Sequence, residues 1–200
     1  MNKSYVPYVP SYEHCTFIIP VPQSGDEFSL ARLNNLLDNI VERIDSSRSE
    51  FYKPKSIQIT YECSNNISNL PEPDATSEVE YTIESIEEGL ECCRSSCSEE
   101  ILIRNINVTE SKTRVITEDG PKWVDAESND FRPFNSNDST FDDEGYTRDP
   151  VSIKIAYSGI DGFGYEIWIE TTTSVWWDDR FVKQPNRKTL AKFLSDVACD

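Results

Sequence analysis

Two hundred residues with 36 acids against 19 bases carry a formal charge of −17 and a hydrophobic share of 37%. That length supports one domain whose core needs no covalent staples, and four tryptophans within an aromatic share of 11% exclude a wholly disordered chain. The sign of the charge argues against nucleic acid as a direct partner, because phosphates repel such a surface and no basic patch with interleaved aromatics offsets it.

Prolines break the first 22 residues, and no apolar run there is long enough for a signal-peptide core or a membrane span. The expectation is a cytoplasmic protein without membrane association. Cys15, Cys63, Cys92, Cys93, Cys97 and Cys199 are then expected as thiols. The glycosylation patterns at Asn2, Asn66, Asn107 and Asn137 are expected by chance in a chain rich in Ser and Asn.

In chain order, Cys15, Phe17, Ile19 and Val21 alternate as a first strand, and Pro20 places it at a sheet edge. Leu30, Leu33, Leu36, Leu37, Ile40, Val41 and Ile44 have helical spacing behind Ser29 as N-cap. Ile57, Ile59, Tyr61 and Cys63 alternate within a strand over 55–63. After an acidic proline-rich loop, Val79, Tyr81 and Ile83 mark a short strand over 78–83.

Ser85 and Glu88 then give a capping-box signature for a helix to about Arg94, with Ile86, Leu90, Cys93 and Cys97 as its apolar stripe. Two strands, 100–108 and 113–118, are expected either side of a polar TESK turn, followed by a long irregular acidic loop over 119–150. Val151, Ile153, Ile155 and Tyr157 pair as a hairpin with Tyr165, Ile167 and Ile169 across SGIDGFG. Leu190, Phe193, Leu194 and Val197 form the stripe of a C-terminal helix capped by Asn186 or Thr189. The sum is a single α+β domain over residues 1–200, with a mixed, mostly antiparallel sheet of about six to seven strands and two or three helices on one face.

The charge is concentrated. Residues 72–100 contribute −9 and residues 118–149 contribute −7, which leaves −1 for the other 139 positions. Two internal blocks on a balanced background differ from the even acidity of salt adaptation and from a terminal solubility tail. In the first block Glu84, Glu87, Glu88 and Glu91 fall at i, i+3, i+4 and i+7, a carboxylate stripe relieved by Arg94 alone. A solvated helix ordinarily mixes signs, so the stripe points to a basic partner surface.

Other constellations carry less. His14 has no accompanying nucleophile turn, and the cysteines lack zinc spacing, so no metal and no cofactor are expected. SGIDGFG lacks the lysine and following helix of a phosphate loop. Asp142, Asp143 and Glu144 lack the alternation of a calcium loop. Glu166 and Glu170 flank Trp168 on one strand face, where Trp168 is expected as a packing residue.

The function expected from these residues is that of a non-enzymatic acidic inhibitor occluding the basic, nucleic-acid-binding surface of a nuclease or similar protein. Its partner-binding residues would be Glu84, Glu87, Glu88, Glu91, Asp142, Asp143 and Glu144, with Trp176, Trp177, Asp178 and Asp179 as an aromatic anchor beside acids. In composition the chain resembles the DNA-mimic anti-defence proteins of phages and the immunity proteins of nuclease toxins, a similarity of type carried by no shared motif. The alternatives are an assembly protein with merely solvated acidic loops and a small carboxylate-dependent enzyme.

Overall fold

A computed structural model describes residues 14–25, 27–63, 76–98, 100–125, 149–159, 163–172 and 183–198. The elements run β1 (His14–Pro22), α1 (Leu30–Ser46), β2 (Tyr52–Cys63), β3 (Ser77–Thr82), α2 (Ile86–Ser96), β4 (Ile101–Thr117), β5 (Gly120–Val124), β6 (Val151–Ser158), β7 (Gly164–Thr172) and α3 (Lys183–Ala198). The strands form one sheet in the order β1-β7-β6-β4-β2-β3, with β5 paired to β4. Every pairing among the described residues is antiparallel. The expected α+β fold is therefore present, and its sheet is antiparallel throughout.

Alternation sets the faces. Ile57, Ile59, Ile106, Ile153, Ile155, Ile167 and Ile169 point inward and are buried. Leu33, Leu37, Ile40, Val41 and Ile44 of α1 join them in one core, together with Ile86, Leu90 and Cys93 of α2 and Leu190, Phe193 and Val197 of α3. One row of the opposite face follows the ladder register through Glu80, Gln58, Asn107, Lys154, Trp168 and Ile18. Ser29 caps α1 as expected, its side chain accepting from the Arg32 amide. β1 lies at an edge, where the missing N–H of Pro20 costs no ladder bond.

Residues 109–112 form no turn. β4 is one 17-residue strand, and its middle looks polar because Thr109 and Glu110 are exposed while Ser111 is buried and hydrogen-bonded. Ser111 is fully buried, its amide donates to Asp149 Oδ2 at 2.5 Å, and its hydroxyl donates to the Val151 carbonyl at 2.8 Å. These bonds fill the gap on the β4 edge between the stretch that β6 reaches, Asn105–Asn107, and the stretch paired with β5, Thr113–Thr117. Of the irregular region expected over 119–150, residues 120–124 form a strand, and 126–148 lie outside the described residues. The chain turns through Glu118 and Asp119, and Gly120 adopts φ +109°, a conformation open to glycine and strained for other residues, to start β5. β5 is short and carries Pro121 on its edge, which hid it from a search for alternating apolar residues.

α3 is not capped by Asn186 or Thr189. Its first residue is Lys183, and the Asn186 carboxamide turns to the sheet, accepting from the Ile116 amide at 2.7 Å and donating to the Ile116 carbonyl at 3.0 Å. Thr189 donates back to the Pro185 carbonyl at 3.0 Å. Among the described residues no helix is long and apolar enough to cross a membrane.

Candidate functional site

The described part of the first acidic block is centred on the unit formed by β3 and α2 at the sheet edge opposite β1. Alternation in SEVEYT turns Val79 and Tyr81 toward the core side and leaves Glu78 and Glu80 exposed on the other. Glu78 accepts from Gln58 Nε2 at 2.8 Å and Glu80 from the Ser56 hydroxyl at 3.1 Å. These neutral donors orient the carboxylates and leave their charge uncancelled.

The chain then enters α2 through an assembled cap. The Ser85 hydroxyl accepts from the Glu88 amide at 3.2 Å, and the Glu88 carboxylate accepts from the Glu84 amide at 3.2 Å. Asp45, in the last turn of α1, accepts from the Ile86 and Glu87 amides at 3.1 and 2.9 Å. Three first-turn amides that would otherwise lack partners are satisfied this way. On the inner side Gly89 lies against Ile57, where a Cβ would overlap the isoleucine Cδ1, so glycine lets α2 approach β2 this closely without displacing that side chain.

The cap shifts the expected stripe. Glu84 precedes Ser85 and lies outside the helix, while Glu87, Glu88 and Glu91 stand exposed on it. Arg94 does not relieve the row, because its guanidinium pairs with Asp38 of α1 at 2.6 Å. Elsewhere Glu62, Glu110, Asp119, Asp125 and Asp196 pair with Arg104, Lys55, Lys122, Lys112 and Lys192. Among the described residues no base pairs with Glu78, Glu80, Glu84, Glu87, Glu88 or Glu91.

Burial raises the Asp45 carboxyl above its ordinary value of 3.8, outweighing the pull of the two amide donors and of Arg48. A carboxyl whose pKa is higher in the folded state takes up a proton on folding between the two values. Its contribution to stability is complete below the unfolded value and is lost as pH rises through the folded one. Asp45→Ala is expected to cost about 1–2 kcal/mol through the lost cap. Asp45→Asn keeps one acceptor and should flatten the decline in stability as pH rises above the ordinary carboxylate value of 3.8, as urea titrations at a series of pH values would measure.

Asp142, Asp143, Glu144, Trp176, Trp177, Asp178 and Asp179 lie outside the described residues. In the second block Asp119 and Asp125 are ion-paired, and Asp149 is used internally on Ser111. Trp168 is half-buried on the face away from the helices, its indole N–H donating to Glu166 at 3.1 Å. Among the described residues no three His, Cys, Asp or Glu side chains gather to hold a metal.

The cysteines depart from the expectation of thiols. Cys63, the last residue of β2, and Cys97, the C-cap of α2, form a disulfide with Cα atoms 6.5 Å apart. Spacing alone could not pair them, since β3 and α2 lie between and only the fold brings their ends together. Cys93 is buried as expected, and desolvation pushes its thiol up to about 11. Compared with protein-family models, with curated proteins and with solved structures, the chain matches none.

Proposed function

We propose that the β3–α2 edge is a docking surface for a basic protein, and that the chain works as a non-enzymatic inhibitor occluding the groove of a nuclease or other nucleic-acid-handling protein. The observation that carries this reading is concentration. Among the described residues six exposed carboxylates stand on one contiguous unit with no base paired to them, whereas Asp38, Glu62, Glu110, Asp119, Asp125 and Asp196 are matched with lysine or arginine and other acids without an ion pair, such as Glu27, Glu42, Glu50 and Glu118, are dispersed along the chain. Glu87 and Glu88 suit the first turn of α2, but Glu91 stands at i+4 and i+3 from them, like-charge spacings that cost helix stability, and a basic partner relieves that repulsion. A groove built for phosphates would accept these carboxylates and release the anions it holds. In this reading the chain acts within the cytoplasm, and its acids recognise a surface without catalysing a reaction.

The test compares wild-type protein with a variant carrying Glu84→Gln, Glu87→Gln, Glu88→Gln and Glu91→Gln, each immobilised and offered host extract at low and high salt. The wild type should retain a nucleic-acid enzyme whose affinity for the purified variant is weaker by about 10- to 100-fold, with a shallower salt dependence. A partner held equally by both proteins, indifferent to salt and lacking a basic groove, would show the carboxylates to be merely solvated and leave an assembly role.

A further inference from the structure

The Cys63–Cys97 disulfide encloses a particular part of the fold. Its sequence separation is 34, and the closed segment contains all of β3 and α2, the unit that bears the unpaired carboxylates. Outside the bond this unit is held by one edge-strand pairing, one short buried helix face and a few hydrogen bonds. β3 pairs with β2 over six residues, Ser77–Thr82, and lies at the end of the strand order. α2 buries Ile86, Gly89, Leu90 and Cys93. Further links are the Asp45 cap at the start of α2, the Ile83 amide on the Lys55 carbonyl, Arg48 on the Glu84 carbonyl, the Ser56 and Gln58 bonds to Glu80 and Glu78, and the Arg94–Asp38 pair near the end of α2.

At its C-terminal end α2 stops without the left-handed glycine that commonly closes a helix. Cys97 is extended, with φ −107° and ψ 128°. The covalent link to Cys63 therefore fixes the direction in which the chain leaves the helix. Cys63 is exposed and Cys97 half-buried, so the bond is within reach of a reductant.

We infer that Cys63 and Cys97 form a redox-operated tether: the disulfide locks β3 and α2 against β2, and its reduction frees this unit to open locally while the rest of the sheet stays folded. The chemistry is thiol–disulfide exchange with a dithiol. One thiolate of the dithiol attacks the exposed Cys63 sulfur, forming a mixed disulfide and releasing the Cys97 thiolate, which takes up a proton. The second thiolate of the dithiol then attacks its partner sulfur and releases Cys63. Overall two electrons and two protons pass to the protein, and the dithiol leaves as a disulfide. A disulfide oxidant reverses both steps. Cys93 does not compete, because its buried thiol, pushed up to about 11, supplies little thiolate at neutral pH.

The inference concerns the tether and stands whatever the acidic surface binds. Its test is amide hydrogen exchange followed by mass spectrometry on the full chain, oxidised and after incubation with dithiothreitol, with peptide mapping to identify the linked cysteines. On reduction, amides of β3 and α2 should exchange faster by at least about tenfold, while those of β6 and β7 stay unchanged. Cys63→Ser should show the fast pattern with or without dithiothreitol, and Cys92→Ser should behave as wild type. Should Cys63→Ser fail to fold, the two states of the wild type still decide the matter. Equal exchange in both states, acceleration spread evenly over all strands, or a map without a Cys63–Cys97 link would each overturn the tether.

Discussion

Phe193→Ala should lower the free energy of unfolding by about 3–5 kcal/mol, the range for deleting a fully buried aromatic ring. Phe193 is the inward anchor of α3, 2% exposed. Its ring lies 4.9 Å from that of Phe51 and 6.0 Å from that of Tyr52, the latter pair stacked at 30°. Those partners sit where the chain enters β2, so one side chain seats the last helix on the start of an interior strand. Alanine would leave a cavity that the ladder between Tyr52 and Thr113 prevents from collapsing. Phe193→Leu, which keeps more of the volume, should cost clearly less. Urea unfolding of the two variants measures the difference, and a loss below about 1 kcal/mol for alanine would mean that α3 is not seated there.

Asn186→Ala should cost about 2–3 kcal/mol by a different route, because it strands two backbone groups at once. The Asn186 carboxamide does for Ile116 what a neighbouring strand would do, donating and accepting in the same plane. On the β2 side the backbone partners of β4 end with the Arg114 amide on the Phe51 carbonyl, and beyond that point α3 supplies the partner at Ile116. With Asn186 itself 1% exposed, alanine leaves little room for water to substitute. The effect should appear both as a lower midpoint in urea and as faster exchange of the Ile116 amide. Asn186→Asp keeps the acceptor, loses the donor and buries a charge, so it should not rescue the protein.

Much of the fold could be read from residue order because local chemistry and global packing agree in α1, β6 and β7. Ser29 and the leucine and isoleucine spacing define α1, and two alternating runs define the hairpin. Reading failed where polar residues serve the interior. Ser111 resembles a turn residue, yet it is buried in β4. Asn186 has the chemistry of a helix cap and is used on a strand. Asp45, an acid in the last turn of its own helix, is unfavourable there by the dipole rule, and its purpose appears only when α2 arrives beside it.

The candidate site divides in the same way. Glu87, Glu88 and Glu91 were legible from helical spacing, and Glu78 and Glu80 could have been found from the alternation in SEVEYT. That Arg94 would be drawn away to Asp38 depends on the packing of two helices, which no single segment records.

The position of β1 bears on how the molecule is made. Its backbone meets β7 across a very long stretch of chain, as in the bond from the Thr171 hydroxyl to the Cys15 carbonyl, 156 positions apart. During synthesis β1 emerges before every other described strand, and its partner emerges after them all. Throughout that interval Phe17, Ile19 and Val21 lack the surface on which they finally pack. Pro20 and Pro22 interrupt the row of amide donors along this waiting strand, which guards it against pairing with the wrong neighbour, another nascent copy included.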